Sequence, residues 1–163
     1  MPAGMRLVSL LGLLFTALQL IAILTTSKAG IWSAITGAFL YGASLALFWW
    51  TIAATRQNRL TLAFSEDAPQ HLLAAGPYKF VRHPFYAAYI SFWLAGAIAT
   101  MQWWLLFSVA VMSALYFRAA RMEETKFAAS NLNSDYARYR EQTGMFFPKL
   151  FGGHSGKFQT EKR

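Results

Sequence analysis

Four apolar runs decide what this chain is able to fold into. Leu7 to Leu24 carries only Ser9, Thr16 and Gln19 as polar interruptions, and Ile31 to Ala54 is similarly apolar. A third run goes from Pro84 to Met101, and a fourth from Trp103 to about Phe117, extendable to Ala120. A helix needs roughly 20 residues to cross a ~30 Å hydrocarbon core, with ~17 as the lower limit. None of the runs alternates polar with apolar, so strands are not expected, and in lipid only helices or closed barrels satisfy their backbones. Charged residues are 13% of the 163, about half the share usual in a soluble domain. The expectation is therefore an all-α integral membrane bundle with about four transmembrane helices. The spans are placed at about 7–25, 31–54, 84–101 and 103–120, with a short cytoplasmic helical tail at the C-terminus. Arg6 ahead of the first run invites a signal-peptide reading. That run is too long for one, and no small-x-small cleavage site follows at Thr25 to Gly30.

The net charge of +8 finds its account in topology. With four helices both termini share a side. Of the 15 Lys and Arg, only Lys28 falls between spans one and two, and none falls between spans three and four. An arrangement with both termini cytoplasmic puts the other 14 inside, as the positive-inside rule requires, so nucleic acid is not needed as a partner. Trp32, Trp49, Trp50, Trp103 and Trp104 stand near span ends, where indole prefers the interface. The absence of cysteine excludes disulfides, thiol nucleophiles and cysteine-ligated metals, and the three histidines are scattered, so no metal site is expected.

Small residues recur every fourth position at Ala34, Ala38, Gly42 and Ala46, and again at Ser91, Ala95 and Ala99, which predicts close helix packing on those faces. The chain reads as a single domain over 1–151, with a cytoplasmic loop at 55–83, cytoplasmic tail helices within 121–143, and a flexible polar tail at 152–163. Nothing breaks the fourth helix between Trp103 and Ser130, so its last turns are expected to leave the membrane carrying Glu123 and Glu124. Ser134 looks like the cap of a further short helix holding Tyr136 and Tyr139. The aromatic stretch from Met145 to Phe151 is expected to lie back against the membrane surface.

Chemistry concentrates where the loop meets span three, in the stretch AGPYKFVRHPFYAAY. Gly76-Pro77 signals a turn, and Pro84 suits a first helical turn, where its missing N–H costs nothing. Arg82 and His83 then stand just outside the third span, ringed by Tyr78, Tyr86 and Tyr89. Glu123 and Glu124 sit at the matching depth on the fourth helix. The plainer account makes Arg82 a topological anchor and pairs the glutamates with Arg121 and Lys126 along their own helix. A basic pair, two carboxylates and aromatic rings at one depth instead suit a zwitterionic, partly aromatic ligand.

The run GPYKFVRHPFY, the Arg-rich helix end with Glu123-Glu124, then Tyr136-x-x-Tyr139 and Thr143-Gly144-x-Phe146-x-Pro148 together resemble the isoprenylcysteine carboxyl methyltransferase family. That family is related to the phospholipid N-methyltransferases and more distantly to the sterol reductases. The resemblance spans roughly Leu73 to Phe151, about half the chain. It implies a membrane enzyme that binds S-adenosylmethionine (SAM) at the cytoplasmic face without a Rossmann domain, and no G-x-G-x-x-G follows a strand here. Carried over by position, Gly76, Pro77, Tyr78, His83 and Tyr86 would contact SAM, and Glu123 and Glu124 would form the other wall. Two departures stand out. Ala88 occupies a position where the family usually has glycine, and the Phe-Gly that commonly precedes the first tail tyrosine is replaced by polar residues including Asn131, Asn133 and Ser134.

The function implied is methyl transfer to a lipophilic substrate, with carboxyl O-methylation the first expectation and N- or S-methylation open. A carboxylate acceptor needs a cationic holder, for which Arg82 is the candidate. An amine must first lose a proton, for which Glu123 or Glu124 is the candidate base. The lipid bilayer and a lipophilic or lipidated substrate are the partners implied, and oligomeric state is open. A sterol-reductase-like NADPH enzyme and a non-catalytic four-helix membrane protein are the competing readings.

Overall fold

The computed structural model describes residues 3–25, 29–56 and 71–149. The polar tail at 152–163, Arg59, Lys28 and most of the loop after the second span lie outside them. Among the described residues there are five α-helices and no strand. They are α1 (Ala3–Thr25), α2 (Ile31–Thr55), α3 (Pro84–Thr100), α4 (Leu105–Ala128) and α5 (Asn133–Gln142), with a 3-10 turn at Gly76–Lys79. Three helices, α1, α2 and α4, are long and apolar enough to cross a membrane. Helix α3, with 17 residues, meets the lower limit.

Helix ends follow local chemistry. Pro84 opens α3 and stands in its first turn, as expected. Met101 closes it in a left-handed conformation with φ of 52°, donating its N–H to the Ile98 carbonyl. The tryptophan pair expected inside the fourth span belongs to the connecting turn, where Leu105, Leu106 and Phe107 donate to the carbonyls of Gln102, Trp103 and Trp104. Helix α4 then continues unbroken to Ala128 and is 24 residues long. That is about 36 Å at 1.5 Å per residue, so its last turns extend past a ~30 Å core. Ser134 does not cap α5. The helix starts one residue earlier, and the turn before it is organised by Ser130, whose Oγ accepts the Leu132 N–H at 3.2 Å.

The helices run up and down alternately. The α2–α3 seam is antiparallel and close. A Cβ placed on Gly37 would lie 2.7 Å from the Ala99 Cα, the Ser44 hydroxyl donates to the Ala88 carbonyl at 2.7 Å, and Phe48 meets Phe85 edge-on. The seam thus uses Gly37, Ser44 and Thr51, all buried. The expected stripe of Ala34, Ala38, Gly42 and Ala46 is exposed, and Gly42 faces open space. Geometry explains the difference. A four-residue step advances about 40° around a helix, so such a stripe winds away, whereas a seven-residue step drifts by only ~20°. On α3, Ala95 and Ala99 do lie inside the packing.

Helix α1 joins through Phe15, which packs with Trp93, Met112 and Tyr116. Buried Gln19 ties it further, its Nε2 donating to the Tyr41 hydroxyl at 2.8 Å and lying 3.4 Å from the Phe92 carbonyl. Gly96 makes this possible, because a Cβ there would overlap the Gln19 side chain. This packing brings the C-terminus of α2, the N-terminus of α3 and the C-terminus of α4 to one end of the bundle.

Candidate active site at the α3 and α4 ends

At that shared end the backbone sets the side chains. Gly76 has φ of +57°, a left-handed value suited to glycine, and a Cβ there would come within 2.8 Å of the Ala54 Cβ at the end of α2. The 3-10 turn that follows buries Pro77 and Tyr78. Beyond it the chain runs extended beside the C-terminal segment. Arg82 N–H donates to the Gly144 carbonyl at 2.8 Å, His83 N–H to the Met145 carbonyl at 3.1 Å, and Gly144 N–H to the Phe80 carbonyl at 3.2 Å. The segment after α5 therefore lies against the α3 entrance through two parallel-strand-like rungs around Val81 and Gly144.

The side chains then meet those of α4. Arg82 Nε donates to Glu124 Oε1 at 2.9 Å, with the two side chains 8% and 6% exposed. Its Nη1 donates to the Thr143 carbonyl and, at 3.4 Å, to that of Arg140. His83 Nδ1 lies 3.1 Å from Glu123 Oε2, and the Tyr86 hydroxyl donates to Glu123 Oε1 at 2.7 Å. Tyr86 stacks on both His83 and Tyr116, and Phe146 stands edge-on to His83. Behind this layer the Tyr139 hydroxyl donates to the Tyr78 carbonyl at 2.7 Å, and Tyr136 stacks on Phe127.

Burial disfavours a charged His83, but the Nδ1 contact with Glu123 and the negative charges of Glu123 and Glu124 outweigh it and hold its pKa above the ordinary value of 6.5. Burial pushes the phenols of Tyr78, Tyr136 and Tyr139 well up, so they remain O–H donors; for Tyr78 the Glu123 charge adds to the effect.

Three buried polar atoms in this layer have no hydrogen-bond partner: His83 Nε2, Glu124 Oε2 and the Tyr136 hydroxyl. His83 Nε2 is 3.5 Å from Glu124 Oε1, near enough for attraction but not aligned for a hydrogen bond. A buried polar group left unpaired costs about 1–3 kcal/mol. Along its own helix Glu124 Oε2 has the exposed Arg121 guanidinium at 3.9 Å, the pairing the plainer account expected, too long for a hydrogen bond. That oxygen and the His83 N–H are the complement of a ligand bearing an ammonium and a carboxylate.

Of the residues expected at a site, the structure gathers Arg82, His83, Tyr86, Glu123 and Glu124 into one contact network, with Tyr78 behind it. Gly76 and Pro77 stand to one side, with Gly76 against the end of α2. Ala88 lies in the α2–α3 seam, where its carbonyl accepts the Ser44 hydroxyl. The Thr143 carbonyl and the unpartnered Tyr136 hydroxyl belong to the same network, although the sequence marked them only as parts of a motif. Thr143 to Phe146 close over the network, with the Gly144 and Met145 carbonyls accepting the Arg82 and His83 N–H groups; the end of the Met145–Phe151 stretch expected on the membrane surface lies outside the described residues. Among the described residues no cluster of His, Asp or Glu has the makings of a metal site.

A family model described as phospholipid methyltransferase matches residues 32–135, more than half of the chain. The chain belongs to this family of membrane methyltransferases, whose members take the methyl group from SAM. The matched stretch includes the Arg82-His83 and Glu123-Glu124 pairs and stops just before Tyr136. Among curated proteins and among solved structures, none matches the chain.

Proposed function

We propose that the protein transfers a methyl group from SAM to a lipophilic acceptor at the end of the bundle where α3 begins and α4 leaves the membrane. The observation that carries this reading is the pair of buried atoms without a hydrogen bond, Glu124 Oε2 and His83 Nε2, among the aromatic rings of Tyr86, Tyr116 and Phe146. Glu124 Oε2 accepts the donor's ammonium and His83 Nε2–H meets its carboxylate, both charge-assisted. The turn at Gly76, Pro77 and Tyr78 supplies the outer contact. When bound, SAM supplies a methyl already activated on a sulfonium. The protein's work is then to orient the acceptor in line and keep water out.

Isoprenylcysteine-type carboxyl methylation is the first reading of the acceptor. A second, amine methylation, is supported by a specific observation: Arg82, the expected holder of an acceptor carboxylate, has Nε and Nη1 engaged within the protein. Glu123 is the more exposed of the two glutamates, at 16%, and in the amine reading it takes the acceptor's proton. In either case the acceptor's apolar part lies in the bilayer, which accounts for a site at the head of membrane helices. The basic residues at this end, Arg56, Lys79, Arg118 and Arg121 among them, support a cytoplasmic orientation with both termini inside. A single domain over 1–151 is part of the same proposal.

The test is to incubate purified protein with methyl-labelled SAM and a membrane lipid extract. Label in a lipid product supports transfer; base-labile label marks a methyl ester, and base-stable label marks an amine or thiol. SAM bound with no labelled lipid would turn the reading away from lipophilic acceptors, and no SAM bound would end it.

A further inference from the structure

Arg82 touches three elements at once. Its Nε holds Glu124 Oε1 of α4, its Nη1 donates to the Arg140 and Thr143 carbonyls at the end of α5, and its own N–H donates to the Gly144 carbonyl. The α5 carbonyls carry the negative end of that helix's dipole, so a buried cation there is doubly placed. A planar guanidinium presents separate nitrogens in a fixed fork, so Nε serves the carboxylate while Nη1 serves the carbonyls; an ammonium has all its donors on one atom. The consequence falls on Glu124. With Oε1 committed to Arg82, Oε2 is the oxygen left without a hydrogen bond; the exposed Arg121 guanidinium lies 3.9 Å from it.

We infer that Arg82 is a positioning residue: it acts through Glu124, fixing which carboxylate oxygen is free, and latches the segment after α5 over the site. It does not itself hold donor or acceptor. This rests on the SAM-binding role proposed for Glu124, and it differs from the role the sequence suggested for Arg82.

The test is a double-mutant cycle on the full-length protein, reading SAM affinity by calorimetry. Wild type binds SAM, and Arg82→Gln and Glu124→Gln each weaken binding about tenfold, the scale of one charge-assisted hydrogen bond. The double variant binds no more weakly than Glu124→Gln alone, and Arg82→Lys does not restore wild-type affinity. Amide exchange at Gly144 and in the Arg82–His83 pair speeds up in Arg82→Gln, while the α2–α3 seam keeps its protection. A purely structural role would lower stability and leave the SAM affinity of the folded protein unchanged. Additive losses, about a hundredfold in the double variant, would show Arg82 touching the ligand and overturn the inference. Unchanged exchange at the latch would also overturn it. If Arg82→Gln does not fold, Arg82→Lys carries the same cycle. Absence of SAM binding in wild type would overturn the donor reading itself, and with it Arg82's role through Glu124; accelerated exchange would then support the latch alone.

Discussion

The α2–α3 seam and the polar end of α3 and α4 are neighbours built on opposite terms. In the seam, small residues let two backbones approach, and the polar side chains Ser44 and Thr51 each find a carbonyl at 2.7 Å. At the polar end the side chains are long and charged, most of their bonds cross between elements, and three buried atoms are left over. A scaffold is expected to satisfy its polar groups, whereas a site keeps some in reserve for a ligand. Gln19 Oε1, deep in the bundle, is the exception: it is also unpartnered, yet its Nε2 donates across helices as a clamp would.

The contrast breaks most visibly at Gly37. Gly37→Leu drives a side chain into the Ala99 backbone, and overpacking of this kind costs about 1–3 kcal/mol or more. The expected outcome is loss of the monodisperse folded species in detergent by size exclusion, whereas Gly42→Leu, facing open space, leaves it intact. At the polar end, Tyr86→Phe removes a 2.7 Å hydrogen bond to a carboxylate. A drop of about tenfold in kcat/KM is expected with little change in thermal stability, the reverse of the seam's behaviour.

His83 sharpens the comparison through pH. Its folded pKa is raised above 6.5 by Glu123 and Glu124. Its contribution is therefore fully present below the unfolded value and is lost as pH rises through the higher folded value. SAM affinity and thermal stability are both expected to decline across that alkaline-going window, and His83→Gln should flatten both profiles. The smallest effect belongs to Ser44→Ala. Intramembrane hydrogen bonds average about 0.6 kcal/mol, so a slight fall in stability with unchanged SAM affinity is expected.

Much of this was legible in the sequence because it depends on local runs. The starts of α2 and α3 fall where apolar runs and Pro84 place them, and the meeting of His83 with Glu123 follows from matched depth on two helices. Other features had no local signal. Gly37 and Gly42 look alike in a small-residue pattern, and only the angular drift of a real helix selects between them. Arg82's partners on the C-terminal segment are carbonyls 58 and 61 residues away, and every residue has a carbonyl. Gln19 read as a stray polar residue because its partners lie on α2 and α3. The Ser134 cap failed because Ser130 already organised the turn.

The most direct test of the site is a calorimetric titration of SAM into wild type, His83→Ala and Glu124→Gln, each checked for folding by size exclusion. We expect one SAM per wild-type chain and at least tenfold weaker binding in each variant. Equal affinity in all three would place any nucleoside site elsewhere in the bundle and contradict the account.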